Sequence, residues 1–153
     1  MSQALSLLPA TPADVDAIRS LTREAYAKWI PIIGREPKPM QADYAEAVAK
    51  HRIDLLYLDG HLAALIEMIP GIDHLLIENV AVSPASQGKG LGRRLLAHAE
   101  KVAASLRCPE LRLYTNKLFA GNVALYLKLG YRIDREQASN LGIAVYMSKS
   151  VQA

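Results

Sequence analysis

Apolar and polar positions recur in segments short enough to be taken one at a time. Residues 4–8 alternate weakly and predict a first strand. Thr11, Pro12 and Asp14 then mark a helix start, with threonine as N-cap, proline at the first helical position and an acid at the third. Val15, Ile18, Leu21, Ala25, Tyr26 and Trp29 follow at helical spacing. Residues 29–39 carry Pro31, Gly34, Pro37 and Pro39 and read as a loop, and a second helix is expected over 41–50. The run 53–58, then Asp59-Gly60, then 62–69 is a β-hairpin signal, because Asp-Gly supplies the positive φ of a tight turn. Pro70-Gly71 breaks the chain before a strand over 75–82, which makes three consecutive antiparallel strands. A helix follows over about 90–106, with Leu91, Leu95, Ala99 and Val102 on its inner face. Residues 111–115 predict a strand, 123–129 a helix stopped by Gly130, and 131–134 and 143–147 the last two strands. The order βααβββαβαββ, without internal repeats, predicts an α+β chain with one mixed sheet covered by helices.

A length of 153 residues suits a single domain spanning 1–153. With 51% hydrophobic and 22% charged residues, the composition is that of an ordinary globular protein. The net charge of +3 leans towards an anionic ligand. Basic residues are scattered except at Lys89, Arg93 and Arg94, so there is no stripe for tracking a polynucleotide, and no nucleic-acid partner is expected. Cys108 is the one cysteine, which rules out an intrachain disulfide. With an N-terminus unlike a signal peptide, this predicts a reducing, cytoplasmic setting. No apolar run approaches the roughly twenty residues of a membrane span, so no membrane partner is expected either.

The segment that changes the picture is Gln87-Gly88-Lys89-Gly90-Leu91-Gly92, which follows a predicted strand and opens a helix. Glycines let backbone approach an anion, and free N–H groups at a helix N-terminus bind it. Lys89, Arg93 and Arg94 would add charge at the same spot. A dinucleotide fingerprint, G-x-G-x-x-G, does not fit: counting from Gly88 puts Arg93 at the last position, and from Gly90 puts Leu95 there. A phosphate loop of the Gly-Lys-Ser/Thr kind does not fit either, because Gly90 follows Gly88-Lys89. The pattern present is Q-x-x-G-x-G, at Gln87, Gly90 and Gly92.

Asn79-Val80-Ala81-Val82-Ser83-Pro84, this glycine loop, and Asn122-Val123-Ala124-Leu125-Tyr126 with Gly130-Tyr131 together resemble the GCN5-related N-acetyltransferase (GNAT) superfamily. In element order the resemblance covers essentially the whole chain. It implies a mostly antiparallel sheet of about seven strands flanked by about four helices. It also implies a splayed strand pair, 75–82 and 111–115, that holds acetyl-CoA as co-substrate. The pantetheine arm would pair with the backbone of Val80, Ala81 and Val82. The pyrophosphate would sit on amides of Gly88, Lys89, Gly90, Leu91, Gly92 and Arg93, with Gln87 opening the loop. The other partner implied is an amine acceptor, and since several members of the family dimerise, a homodimer is compatible with it.

Direct transfer needs a neutral amine, a stabilised oxyanion and a leaving thiolate. A lysine amine ordinarily titrates near 10.4, so a carboxylate, directly or through water, is expected to take its proton. Glu78 is the first candidate base and Glu67 the second. Strict alternation puts Glu67 on a face with Leu65 and Ile69, and Glu78 on a face with Leu76 and Val80. By resemblance, Tyr126 in Leu125-Tyr126…Gly130 donates a proton to the departing sulfur, and the Val80 N–H serves the oxyanion.

One departure stands out. The family's commoner pattern has a cofactor-contacting asparagine seven positions before this tyrosine, where this chain has Phe119. Asn116 and Asn122 flank it, and Asn122 either caps the helix or binds CoA. His51, His61, His74 and His98 have no metal-like spacing and read as surface residues, with His74 a further candidate for the acceptor site. The apolar run 29–34 shapes the acceptor pocket, packs in the core or forms a dimer surface. A non-catalytic acyl-CoA-binding regulator is the competing reading, and a retained Tyr126 and Glu78 argue against it.

Overall fold

The computed structural model describes residues 4–151; the expectation of no signal peptide falls partly on 1–3, outside the described residues. Twelve elements follow in chain order: β1 (Leu5–Pro9), α1 (Val15–Tyr26), α2 (Ile30–Ile33), α3 (Tyr44–Lys50), β2 (Arg52–Leu58), β3 (His61–Pro70), β4 (Leu75–Val82), α4 (Leu91–Ser105), β5 (Glu110–Asn116), α5 (Ala120–Lys128), β6 (Arg132–Ser139) and β7 (Gly142–Ser150). The strands form one seven-stranded sheet in the order β1-β2-β3-β4-β5-β7-β6. Every neighbouring pair is antiparallel except β4 and β5. The α+β expectation with four longer helices holds, α2 being a single extra turn.

Each face of the sheet carries its own core. On one face, α4 buries Leu91, Leu95, Ala99 and Val102 against Leu56, Ile66, Met68, Ile77, Leu111 and Met147. On the other, α1 and α3 bury Ile18, Leu21, Ala25, Tyr44 and Ala47 against Ile53, Leu55, Leu65 and Ala81. Both helical stripes are the ones that periodicity picks out. At the start of α1, the Asp14 carboxylate accepts the Thr11 N–H at 2.8 Å, and a 3-10 turn over Pro12–Asp14 leads into the helix.

Local chemistry moves three boundaries. The expected loop 29–39 contains helical turns at Ala27–Trp29, Ile30–Ile33 and Lys38–Met40, because proline is welcome in a first turn and Gly34, at φ 74°, ends α2. Asp43 caps α3 by accepting the Glu46 N–H at 3.2 Å, so that helix starts at Tyr44 and not at Gln41. Asn116 turns the chain by accepting the Leu118 N–H at 2.9 Å, and α5 starts at Ala120, three residues before the expected Val123. The strands β6 and β7 run longer than expected. β6 is exposed along its whole length, so no buried pattern marks its extent.

The strand β4 breaks its own alternation at Glu78. Its register pairs Glu67 with Asn79 but Met68 with Ile77, which leaves Glu78 opposite no residue. Such a bulge bends the strand and re-aims its side chains. Leu75 and Ile77 pack on the α4 face, whereas Ala81 packs on the α1 face. Strict alternation would have put all three on one side. The expectation that Glu78 shares a face with Val80 is therefore corrected: Val80 packs against the α4 core, and Glu78 is held by Tyr114 across the gap to β5. The β4–β5 ladder also ends here, with Ile77 opposite Leu113, while β5 stays paired to β7 as far as Asn116. Past the bulge the two central strands splay.

Candidate active site

The splay opens a cavity of about 650 Å³. Its walls bring together Glu67, Glu78, Val80, Asn122 and Tyr126 from three different elements. Glu67 is buried, and its Oε2 lies 2.6 Å from His51 Nδ1. Burial raises its carboxyl above the ordinary carboxylate range; His51 opposes the rise and the charge of Glu78 adds to it. Glu78, half-buried, accepts the Tyr114 hydroxyl at 2.9 Å on Oε1. Tyr126 is half-buried, and among the described residues its hydroxyl has no hydrogen-bond partner. Burial alone pushes it up to about 12, so it stays protonated across the neutral range.

Three groups that local pattern had not pointed to complete the chamber. The Tyr26 hydroxyl is 2.7 Å from Asn79 Oδ1 and 3.2 Å from the Val80 carbonyl oxygen, tying the end of α1 to the splayed half of β4. The Tyr44 hydroxyl donates to the Pro39 carbonyl at 2.6 Å and sits 3.4 Å from Asn79 Nδ2. Burial, with Glu67 and Glu78 nearby, pushes Tyr44 up to about 12. Tyr146 lies beside Tyr114, with ring centroids 5.7 Å apart. In the sequence Tyr26 reads as one apolar residue of a helical stripe, and nothing local announces that its hydroxyl reaches a strand more than fifty residues on. Trp29 stacks on Phe119 at 4.3 Å, so the run 29–34 braces the start of α5, and Ile33 reaches the cavity wall. At the rim, Arg35 donates to the Leu141 carbonyl at 2.8 Å and links the α2–α3 segment to the β6–β7 turn.

The glycine loop lies outside this chamber, beyond the end of β4. Gly88 and Gly90 have φ of 81° and 77°, a region that L side chains rarely adopt, and Gly90 is the N-cap of α4. A Cβ at Gly92 would meet nothing within 4 Å, so there is open space beside the half-buried backbone there. Arg94 N–H, at 3.2 Å from the Gly90 carbonyl oxygen, begins the helical ladder; among the described residues the N–H groups of 88–93 have no acceptor. Lys89, Arg93 and Arg94 are exposed around them. Gln87 supports the turn, its Nε2 donating to the Val82 carbonyl at 3.2 Å and its Oε1 accepting from Lys28 at 3.4 Å. The side chains of Ala81 and Leu91 are buried in the two cores, which leaves only their backbone for a ligand.

The expected alternatives at Asn122 resolve in part. Phe119, not Asn122, is the N-cap of α5, and the Asn122 side chain faces the cavity. The reading of all four histidines as surface residues is corrected. His51 and His98 are half-buried and paired with the buried carboxylates of Glu67 and Asp54. His74 pairs with Asp73 under Gly71 and is not part of the cavity wall. Cys108 is buried in the α4 core. Among the described residues no group of His, Cys, Asp and Glu could hold a metal ion, and no helix is long and apolar enough to cross a membrane.

A model of the acetyltransferase (GNAT) family matches residues 15–131, from α1 through the turn after α5. The chain belongs to the acetyltransferase (GNAT) family. Solved structures share the fold at low identity. The ribosomal-protein-S18-alanine N-acetyltransferase of Escherichia coli superposes with a TM-score of 0.79 at 21% identity, over 98% of this chain and 96% of that one. The PaiA N-acetyltransferase of Thermoplasma acidophilum, solved in complex with coenzyme A, gives 0.78 at 17% identity over 96% and 99%. The nourseothricin acetyltransferase gives 0.75 at 20% identity over 97% and 99%. No curated protein sequence matches the chain. As a GNAT acetyltransferase the chain belongs among enzymes of acyl transfer that draw on acyl-CoA and an acceptor substrate.

Proposed function

We propose that this GNAT protein is an N-acetyltransferase that moves an acetyl group from acetyl-CoA directly to a primary amine. The observation that carries this reading is the convergence, in one cavity at the β4–β5 splay, of two carboxylates and a tyrosine hydroxyl that has no partner among the described residues. The bare amides of 88–93 and the cations Lys89, Arg93 and Arg94 suit a pyrophosphate. Pantetheine would follow the unpaired edge of β4 from Val82 to Val80 as an added strand, with Asn122 on the opposite wall.

Chemistry then follows from placement. Glu78, at the bulge, takes the amine proton through water, and Glu67, which lines the same cavity, receives it in turn through the same water. The neutral nitrogen attacks the thioester carbonyl, and the Val80 N–H meets the oxyanion. Collapse breaks the C–S bond, and the sulfur leaves towards Tyr126. A simple thiol titrates near 8.5, well below the roughly 12 to which Tyr126 is pushed. Complete proton transfer to a thiolate is therefore uphill. Tyr126 serves first as a hydrogen-bond donor to the charge developing on sulfur, with the proton following.

Thiol release from acetyl-CoA, followed across a panel of small amines, peptides and proteins, tests the reading. Turnover with at least one amine is expected. Tight CoA binding with no thiol release across the panel would favour a non-catalytic acyl-CoA-binding regulator. Stabilisation by ATP but not by CoA would remove the cofactor assignment.

A further inference from the structure

We propose that His51 is the outlet for the proton that each turnover must discharge, with Glu67 as the group that hands it over. The inference rests on the amine-acetylation reading above. An ammonium that ends as an amide loses two protons. One ends on the sulfur of CoA; the other has to reach water. With acceptor and cofactor filling the cavity during transfer, a path along the protein's own side chains takes this second proton to water.

A second cavity, of about 250 Å³, lies at the β1–β2 edge of the sheet beside α4. Among the described residues, His51 is the one side chain that borders both cavities. It stands at the C-terminal end of α3, where its own N–H donates to the Ala47 carbonyl at 2.8 Å and fixes the backbone. Its Nδ1 is 2.6 Å from Glu67 Oε2, while its Nε2 has no partner among the described residues. Glu67 is 4% exposed and the His51 side chain 28%, so the ring lies between a buried carboxyl and solvent.

The charged groups around the ring leave this path open. On α3, Lys50 is paired with Glu46 at 2.6 Å. Across the second cavity, Asp54 is already held by His98 Nε2 at 2.7 Å and Arg52 Nε at 3.1 Å. No carboxylate therefore competes for His51 Nε2. With the neutral ring protonated on Nε2, Nδ1 is the acceptor for a proton on Glu67. Transfer to Nδ1 and release from Nε2 into the second cavity moves one proton outward, and a flip of the half-exposed ring, which turns Nδ1–H to water and the bare nitrogen to Glu67, resets the relay. The raised Glu67 carboxyl agrees with a group that carries a proton part of the time.

His51 is thus a positioning and relay residue that acts through Glu67 and does not touch the substrate. The test uses the full chain, acetyl-CoA and an amine that the wild type acetylates. His51→Ala is expected to lower kcat about tenfold or more, with KM for acetyl-CoA unchanged. Added imidazole should restore the rate in a saturable way, and the restored rate should require Glu67, so that His51→Ala/Glu67→Gln does not respond. His51→Gln keeps a partner for Glu67 and controls for folding; it should match the wild-type Tm yet show a kcat–pH profile of different shape. Wild-type turnover combined with a His51→Ala loss that is uniform in pH and deaf to imidazole would overturn the relay and leave the acetyltransferase reading intact. A wild type that turns over no amine removes both.

Discussion

At the scale of single residues, environment separates roles among groups of the same type. Tyr26 and Tyr44 are bonded to neighbouring backbone or to Asn79, while the Tyr126 hydroxyl has no partner among the described residues. Tyr126→Phe should therefore lower kcat about ten- to a hundredfold, the worth of a hydrogen bond to developing charge, and leave CoA affinity unchanged by calorimetry. An unaltered kcat would take Tyr126 out of the leaving-group step. The two carboxylates differ in the same way. Glu67 has a folded value above its unfolded one, mainly through burial. Stability tied to its protonated form is present below the unfolded carboxylate range and is lost as pH rises through the folded value. Glu67→Gln removes that penalty. Its Tm should exceed the wild type's at neutral pH, the gain should vanish in acid, and kcat should fall. A Tm gain that persists at low pH would show that ionisation of Glu67 is not its source.

At the scale of elements, two irregularities build the site. The bulge at Glu78 turns β4 over and ends its ladder with β5, which creates the gap. The left-handed Gly90 starts α4 with its first amides unoccupied. Gly90→Ala forces a Cβ into φ 77°, at a cost of roughly 1–2 kcal/mol. Gly90→Asp adds a negative charge where the pyrophosphate is proposed to bind. Titration should show weaker CoA binding for both, with the further loss in Gly90→Asp shrinking as salt is raised. Equal affinity for wild type and Gly90→Asp would mean that the loop is only a turn. The α5 segment shows how an element absorbs a departure in sequence. Phe119, which stands where the family often has asparagine, is buried against Trp29 and begins the helix, while Asn122 faces the cavity.

At the scale of the whole molecule, the sheet carries a core on each side, and the cavity lies where its central strands part. Leu95 in one core and Ile18 in the other are both fully buried. Leu95→Ala and Ile18→Ala should each destabilise by about 2–5 kcal/mol in denaturant titration. Their consequences should differ. Ile18→Ala loosens α1, which positions Tyr26 against Asn79 and Val80, so it should also raise KM for the acceptor. Leu95→Ala loosens the helix whose first amides are proposed to hold CoA, so it should weaken CoA binding. Matching effects of the two variants on both affinities would argue against this division of labour between the faces.

Period and punctuation alone determined the element order, the inner faces of α1 and α4, the hairpin at Asp59-Gly60 and the position of the glycine loop. Each is a local property, set by 3.6- or 2-residue repeats and by residues that tolerate positive φ. Only the tertiary structure decided which way Glu78 faces, because a bulge is a mismatch between two strands and is invisible in either one. It also decided that Glu67 is buried beside His51, that Phe119 meets Trp29, and that Tyr26, Tyr44 and Tyr146 line the chamber. Those contacts join residues up to ninety positions apart, and no local pattern records them. The glycine loop was legible because it is one continuous segment with its own backbone requirement. The proposed proton path was not, because Glu67 on β3 and His51 at the end of α3 meet only in the folded chain.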